Sequence, residues 1–438
     1  MPVSRIGFFL LPALLFSGPA AAQEAPADPL APLVAEALEK SPELAAMAAA
    51  IEAARARVAP AGALPDPMVE LSYENDGGPI SLGEEPMTRL SLMARQAFPY
   101  PGKQRLAAEV ASADARALDA LRDRARLSVE AEVRRAAAGL AEARASRRLV
   151  EEQEAAWAAI EEVTRSRYAA GMGTQQDVLR TQAERTRLRQ RSLREEAAVA
   201  SARAELRRLL GRDPGEPGAI DALLSPSAGL AVPHAGEFLA AVAGKSPEVR
   251  RARLQAEREK LAGQLARRDL LPDFVASAGY MNRGSLPGMW QVGAGVTVPL
   301  WAGSKQRPRI VEAERSAEAA AATAEDLRRR VAARSEERLA RLARLAEEIR
   351  LDRDVLLIQD RLSVEAALTG YRTGGTPFVT VLEALATQDA DRRAAVARRA
   401  AFLRTLAALE ELSPAPDGAG MTETVAAAAA PAGAAAGM

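Results

Sequence analysis

Lys40-Ser41-Pro42-Glu43-Leu44 returns in the second half of the chain as Lys245-Ser246-Pro247-Glu248-Val249. Further pairs follow in the same order. Leu64-Pro65-Asp66 returns as Leu271-Pro272-Asp273, and Tyr73 as Tyr280. Phe98-Pro99 with Gly102-Lys103-Gln104-Arg105 matches Val298-Pro299 with Gly303 and Lys305-Gln306-Arg307. Tyr168-x-x-Gly171 matches Tyr371-x-x-Gly374, and Val178-Leu179 matches Val381-Leu382. The partners lie roughly 200–207 positions apart. One match is chance; a run of matches in one order is a duplication, with a period far longer than that of solenoid repeats.

Each half predicts the same elements. A helix over 32–58 or 235–268 comes first, followed by two strands. In 68–74, Val69, Leu71 and Tyr73 alternate with Glu70, Ser72 and Glu74; Leu90 and Leu92 stand opposite Arg89 and Ser91. In the second half, Phe274, Ala276, Ala278 and Tyr280 alternate with Val275, Ser277 and Gly279, and Trp290 to Val298 alternates with Gln291, Gly293, Gly295 and Thr297. One apolar face and one small or polar face, at period two, suits a membrane β-strand; it equally suits a hairpin lying on a core. Loops over 75–86 and 282–288 join each pair. Helices over 103–168 and 308–371 follow, each about 100 Å long at 1.5 Å per residue. The first has apolar positions at Leu106, Val110, Ala113, Ala117, Leu121, Ala125, Val129, Val133, Ala136, Leu140 and Ala143. Their mean step of about 3.7 suits a straight or slightly right-handed wind, and alanine allows close neighbours. Return helices are expected over 175–210 and 379–412.

Composition narrows the function. The chain has 438 residues, with 58 Lys+Arg balancing 58 Asp+Glu, which argues against binding nucleic acid through bulk positive charge. It has no Cys and a single His, His234, so thiol nucleophiles, zinc–thiolate sites and multi-His metal centres are excluded. Its carboxylates sit beside Arg at helix-surface spacing, as in solvated ion pairs, and no enzyme is expected. No cofactor is expected either. Residues 1–22 read as an export signal: Arg5, an apolar run over 6–16, then Ala20-Ala21-Ala22. No later stretch is long and apolar enough for a transmembrane helix. Repeat 1 is taken as 23–217, repeat 2 as 218–412, and the Ala/Pro/Gly-rich 413–438 as a disordered tail.

Four strands cannot close a barrel, and an open edge is not allowed in lipid, so more than one chain is required. Helices of this length also need copies of themselves to cover their apolar stripes. The duplicated helix–hairpin–long helix–return helix, with its Lys-Ser-Pro-Glu, Leu-Pro-Asp, Tyr-x-x-Gly and Val-Leu segments, resembles the TolC family of outer-membrane efflux proteins across nearly the whole mature chain. The resemblance implies an α+β membrane protein: a homotrimer whose twelve-stranded β-barrel continues as a long periplasmic α-helical barrel. It implies an exit duct in the outer membrane, docked on a periplasmic adaptor protein and an inner-membrane pump. Residues 64–68 and 98–103 look most like the heavy-metal efflux branch. The chain departs from many relatives in lacking an N-terminal Cys for lipid attachment.

From the residues alone, Gly171, Gly173, Thr174 and Gly374, Gly375, Thr376 form two tight helix–helix turns, with glycine ending one helix and threonine capping the next. The resemblance implies that these are periplasmic tips that contact the adaptor. It also places Asp177 at a pore-entrance carboxylate position; Thr380 stands at the matching first position of repeat 2 and Glu383 at the second. Asp177 alternatively serves as a charge at a helix N-terminus. Met68, Met87, Met93, Met281 and Met289 lie near the strands, where thioethers suit soft Cu(I) or Ag(I), or simply face lipid or loops. Two other functions fit the same pattern: a duct for type I protein secretion, and an exported structural coiled coil.

Overall fold

The computed structural model describes residues 28–78, 80–83, 85–212, 220, 223–224 and 230–413. The expected export signal, the boundary between repeats at 217/218 and the tail after Ser413 lie outside them. Ser413 itself is fully buried. Repeat 1 contains α1 (Ala31–Lys40), α2 (Pro42–Ala56), α3 (Val58–Gly62), β1 (Met68–Glu74), β2 (Arg89–Phe98), α4 (Lys103–Ala169) and α5 (Gln175–Leu210). Repeat 2 contains α6 (Ala235–Lys245), α7 (Pro247–Arg268), β3 (Asp273–Arg283), β4 (Leu286–Thr297), α8 (Gln306–Leu351), a π-helical turn (Asp352–Leu356), α9 (Leu357–Thr373) and α10 (Phe378–Glu410). Among the described residues, no helix is long and apolar enough to cross a membrane.

Three expectations need correction. The first helix of each half is broken, at Ser41 and Ser246. Pro42 and Pro247 take the first helical position, where the missing N–H costs nothing, and Ser41 caps by accepting from the Leu44 N–H at 3.3 Å. The loop expected over 282–288 is a tight hairpin turn, because β3 runs on to Arg283 and β4 starts at Leu286. Gly284, at φ +63°, supplies the left-handed residue that such a turn requires. The second long helix is not uniform, because the π-helical turn interrupts it. Its cause is visible in the duplication. The Lys-Gln-Arg segments at 103–105 and 305–307 are 202 positions apart, whereas Tyr168 and Tyr371 are 203 apart. One extra residue therefore lies inside the second helix. A turn of i→i+5 bonds absorbs it and leaves the phase below unchanged.

Helix α4 has 67 residues, about 100 Å. It packs against α5, α7 and α10, and against α2 and α3 near the strands. Of the eleven positions in the expected stripe, Leu106, Ala113, Ala117, Ala125, Val129, Val133 and Leu140 are buried. Ala115, Ala120, Ala131, Ala137, Ala138, Ala141 and Ala145 are buried as well, because α4 has neighbours on more than one side. A single-stripe pattern misses a helix that is surrounded. Two equivalent cores lie alongside the long helices. Ala37, Val133, Leu140, Leu206 and Leu210 join α1, α4 and α5; Phe238, Val331, Leu342, Phe402 and Leu409 join α6, α8 and α10. A third core, with Trp157, Ile160, Leu188, Tyr371, Phe378 and Val381, fills the far end.

The strands form one antiparallel sheet in the order β1-β2-β3-β4. Its register aligns the apolar faces of all four. Leu71 pairs with Leu92, Leu92 with Tyr280, and Tyr280 with Trp290; Phe98 pairs with Phe274, and Phe274 with Val296. Partners directly opposite share a face. That face is open to the surroundings, with Trp290 78% exposed. Tyr73, Tyr280 and Trp290 lie along one margin. Phe98 and Phe274 lie along the other, with Tyr100 stacked on Phe274 at 6.5 Å. From Tyr280 to Phe274 the band spans about 20 Å at 3.3 Å per residue. An apolar band between aromatic margins, backed by a polar face, is the alternation that strands of membrane barrels carry.

Candidate functional site

At the end farthest from the sheet, α4 ends and α5 begins through 170–174. Gly171 takes φ +72°, and the Met172 N–H returns to the Arg167 carbonyl at 2.9 Å. Gly173 leaves little room for a side chain: a Cβ there would stand 3.2 Å from the Tyr168 nitrogen and 3.3 Å from Arg167 Cβ. Thr174 is the N-cap of α5. Its hydroxyl accepts from the Asp177 N–H at 3.2 Å, and the Asp177 carboxylate accepts from the Thr174 N–H at 3.5 Å. Asp177 therefore takes part in a reciprocal capping box, as its alternative role at a helix N-terminus anticipated.

The second turn, between α9 and α10, follows a different plan. Gly374 takes φ +82°, and the Gly375 N–H donates to the Gly370 carbonyl at 2.8 Å. Thr376 does not cap α10, contrary to expectation. Pro377 occupies the cap position, and its fixed φ sets the entry to the helix. The Thr376 side chain folds back instead over Gly370, occupying the space that a Cβ there would need. The sequence motif omitted Gly370, and its signal was only a glycine one residue before Tyr371.

One residue ties the two turns together. The Arg167 guanidinium donates to the carbonyls of Tyr371 at 2.8 Å, Arg372 at 3.0 Å and Met172 at 3.0 Å. It also lies 4.7 Å from the centre of the Tyr371 ring. Tyr371 packs on Phe378 at 5.2 Å. Burial first, and then the charge of Asp177, push the Tyr371 phenol above its ordinary range, while Arg167 opposes the shift. The matched tyrosines have diverged: Tyr371 is 4% exposed and Tyr168 49%. Glu383 is exposed and has not joined Asp177. It lines a cavity of about 450 Å³ between α4, α5 and α10, together with Gln153, Trp157, Leu188, Arg191 and Asp389. Asp389 accepts from Arg191 at 2.8 Å, and from Gln153 and Arg393.

A family model described as outer membrane efflux protein matches residues 33–212 and 239–413. The chain belongs to the outer membrane efflux protein family. It is a passive outer-membrane channel, not an enzyme, and its long helices belong to the periplasm. Among curated proteins none matches this sequence. Three solved structures share the fold of this efflux protein. The outer-membrane channel OprN is 22% identical, with 88% of this chain and 89% of that chain covered and a TM-score of 0.74. VceC from Vibrio cholerae is 21% identical, with 87% and 95% covered and a TM-score of 0.72. The open state of the MtrE outer-membrane channel from Neisseria gonorrhoeae is 18% identical, with 88% of each chain covered and a TM-score of 0.71.

The efflux protein's sheet carries its polar groups on the face opposite the apolar band. Glu70, Ser72, Glu74, Arg89, Ser91, Arg95, Ser277 and Gln291 share it by register, and Arg89 pairs with Glu74 at 2.5 Å. Met68, Met93, Met281 and Met289 lie on this face too, while Met87 is exposed before β2. At the sheet–helix junction Lys103 is only 9% exposed. Its ammonium reaches Asp273 at 2.8 Å and the Leu271 carbonyl at 3.1 Å, which binds the start of α4 to the start of β3. His234 is exposed ahead of α6.

Proposed function

We propose that three copies of this chain close a twelve-stranded barrel in the outer membrane. Its helices then form a periplasmic tube, the exit duct of a tripartite efflux system completed by an adaptor protein and an inner-membrane pump. The observation that carries this is a four-stranded sheet with an apolar band, aromatic margins and two unpaired edge strands, carried on helices of about 100 Å. Four strands per chain make twelve the number for three copies. The turns at Gly171, Gly173, Thr174, Gly374, Gly375 and Thr376 are the adaptor-docking tips. Asp177 and Glu383 supply negative charge at the pore entrance, where carboxylates attract cations. The finer expectation of heavy-metal cations as cargo rests on the resemblance of residues 64–68 and 98–103 alone.

A bulky side chain at a tip blocks a docking helix and lies far from every strand. Gly171→Trp and Gly374→Trp each place a non-glycine residue at positive φ, a cost of about 1–2 kcal/mol that an assembly held along its whole length tolerates. Both variants are expected to form normal trimers, to lose efflux, and to lose crosslinking to the adaptor. Assembled variants that still crosslink would put docking elsewhere on the helices; variants that fail to assemble would make the turns structural. For the entrance, Asp177→Asn keeps an acceptor for the cap while removing the charge. Together with Glu383→Gln it is expected to lower cation preference in a planar bilayer, and unchanged selectivity would remove both residues from the pore.

A further inference from the structure

We propose that the connection between β4 and α8 is a docking surface for an anionic phospholipid of the periplasm-facing leaflet; this rests on the reading of the sheet as a barrel wall. Trp301 lies against the acyl edge of the lipid, and Arg307 and Arg309 take its phosphate. The surface is present in repeat 2 alone, at the rim where the sheet gives way to the helices.

The apolar face of the sheet does not stop where β4 ends. Val296 and Val298 are exposed in alternation, and Leu300 and Trp301, just beyond them, are 80% and 75% exposed. The turn that carries these two closes on its own backbone. The Trp301 carbonyl accepts from the N–H groups of Ser304 at 3.2 Å and Lys305 at 3.0 Å, and the Arg307 N–H donates to the Ala302 carbonyl at 2.9 Å. Its backbone is satisfied without the side chains, which are left outside. Leu300 and Trp301 thus prolong the apolar band past the margin marked by Phe98 and Phe274. An indole suits that level, because its ring is apolar and its N–H finds a partner among headgroups.

Charge gives the headgroup its sign. No Asp or Glu occurs between Asp273 and Glu312, whereas Lys305, Arg307 and Arg309 follow Trp301 closely. All three are exposed, and none has an ion pair among the described residues. Other cations of this rim are committed: Lys103 to Asp273 at 2.8 Å, Arg105 to Glu109 at 3.3 Å, Arg267 to Glu314 at 2.7 Å, and Arg268 to the Pro101 carbonyl at 2.9 Å. The exposed acids Asp66 and Glu312 also lack ion pairs among the described residues, but Asp66 precedes β1, at the other edge of the sheet, and Glu312 lies farther down α8. From Gln306 to Arg309 the helix rises about 5 Å, within a headgroup layer about 5–8 Å deep. Arginine stems can also lie along apolar surface while the guanidinium stays among phosphates.

The matching connection of repeat 1 has none of this. From Pro99 to Lys103 it is two residues shorter than from Pro299 to Lys305. Its Tyr100 stacks on Phe274 and donates its N–H to Asp273 at 2.7 Å, and its lysine is buried on the same carboxylate. One copy of the connection is spent on holding sheet to helix; the other presents its aromatic and its cations outward. A protein partner would have to bring acids and an apolar pocket to a rim that is continuous with the lipid-facing band. An anionic phospholipid brings phosphate and acyl chain together, and in that order along the membrane normal.

The chain has three tryptophans, of which Trp157 is buried and Trp290 lies at the far margin of the sheet. Trp290→Phe therefore leaves Trp301 as the exposed one. The full chain with this substitution is placed in vesicles of equal parts phosphatidylglycerol and phosphatidylcholine, with bromine on the acyl chains of one lipid or the other. Bromine on phosphatidylglycerol is expected to quench Trp301 roughly three- to fivefold more than bromine on phosphatidylcholine. Arg307→Gln with Arg309→Gln is expected to bring that ratio close to one, with helical circular dichroism unchanged. On a chain with no aromatic substitution, the phosphatidylglycerol retained in detergent, counted by mass, is expected to fall with the same two changes. Equal quenching by the two lipids, or a preference that survives the loss of both arginines, overturns the proposal. So does a Trp301 that neither lipid quenches while Trp290 of the unmodified chain is quenched: the sheet is then in lipid and protein covers the rim. An unmodified chain that neither lipid quenches overturns the barrel wall and the docking surface together.

Discussion

Arg167 joins the two tips through three carbonyls, and the planar guanidinium makes this possible because it presents several donors at fixed angles. Lysine keeps the charge but cannot span both turns. Arg167→Lys is therefore expected to loosen the tips, with faster proteolytic cutting within 170–174 and 374–377 and a larger conductance in a planar bilayer. Unchanged cutting and conductance would show that the turns hold themselves. Asp360, between α9 and α10, gives a pH prediction. Burial, reinforced by Asp391 and opposed by Arg392, pushes its carboxyl above the ordinary aspartate range. An acid whose folded value is raised binds more protons folded than unfolded, so its site loses stability as pH rises above the ordinary aspartate value. Asp360→Asn is expected to raise the melting temperature at neutral pH and to flatten its dependence between about pH 4 and 7. A variant that melts lower at neutral pH would show that the charged form is needed.

At the scale of elements, the π turn is the residue-count difference between two copies of one helix, made visible. Removal of Val355 leaves the second helix equal in length to α4 and in phase with it. That variant is expected to keep its helical circular dichroism and its assembly. Removal of Glu152 from α4 instead turns everything below by about 100° and takes Trp157 and Ile160 out of the far core, so that variant is expected not to assemble. Equal behaviour of the two deletions would mean that the turn does more than absorb a residue. Much of the fold was legible because its signals are periodic or repeated: α4 and α5 end within a residue of expectation, and Val69, Leu71 and Tyr73 do share a face. Three things were not legible. The breaks at Ser41 and Ser246 follow from single prolines, whose helix-starting role competes with a continuous alanine-rich pattern. Thr376 has the residue type of a cap, but the following Pro377 takes that position, and only three-dimensional packing shows its side chain over Gly370. The tips were legible as turns; their joining by Arg167 was not, because it depends on residues more than two hundred positions apart.

At the scale of the whole molecule, ion pairs cover the helices. Most are exposed, as with Arg315–Glu318 and Arg330–Asp326, and pairs of this kind contribute about 0–1 kcal/mol. The apolar band and the alanine-lined helix contacts carry the rest, so stability is expected to depend little on salt. The dissociation temperature should move by no more than a few degrees between about 0.05 and 0.5 M salt, although the Debye length falls severalfold over that range. A large fall would transfer the main role to the charges. The duplication also has a kinetic consequence. A chain of one repeat length supplies two strands, so a ring of twelve would need six such chains and five successive encounters, each diluted by the dissociation of the one before. In the proposed ring of three chains, fusing two repeats puts every second boundary within a single polypeptide, where its formation is independent of concentration, and leaves two encounters before the ring closes. It also frees the two halves to drift apart in sequence, which six identical subunits could not do. An exposed Tyr168 beside a buried Tyr371 is what that freedom looks like after the fusion.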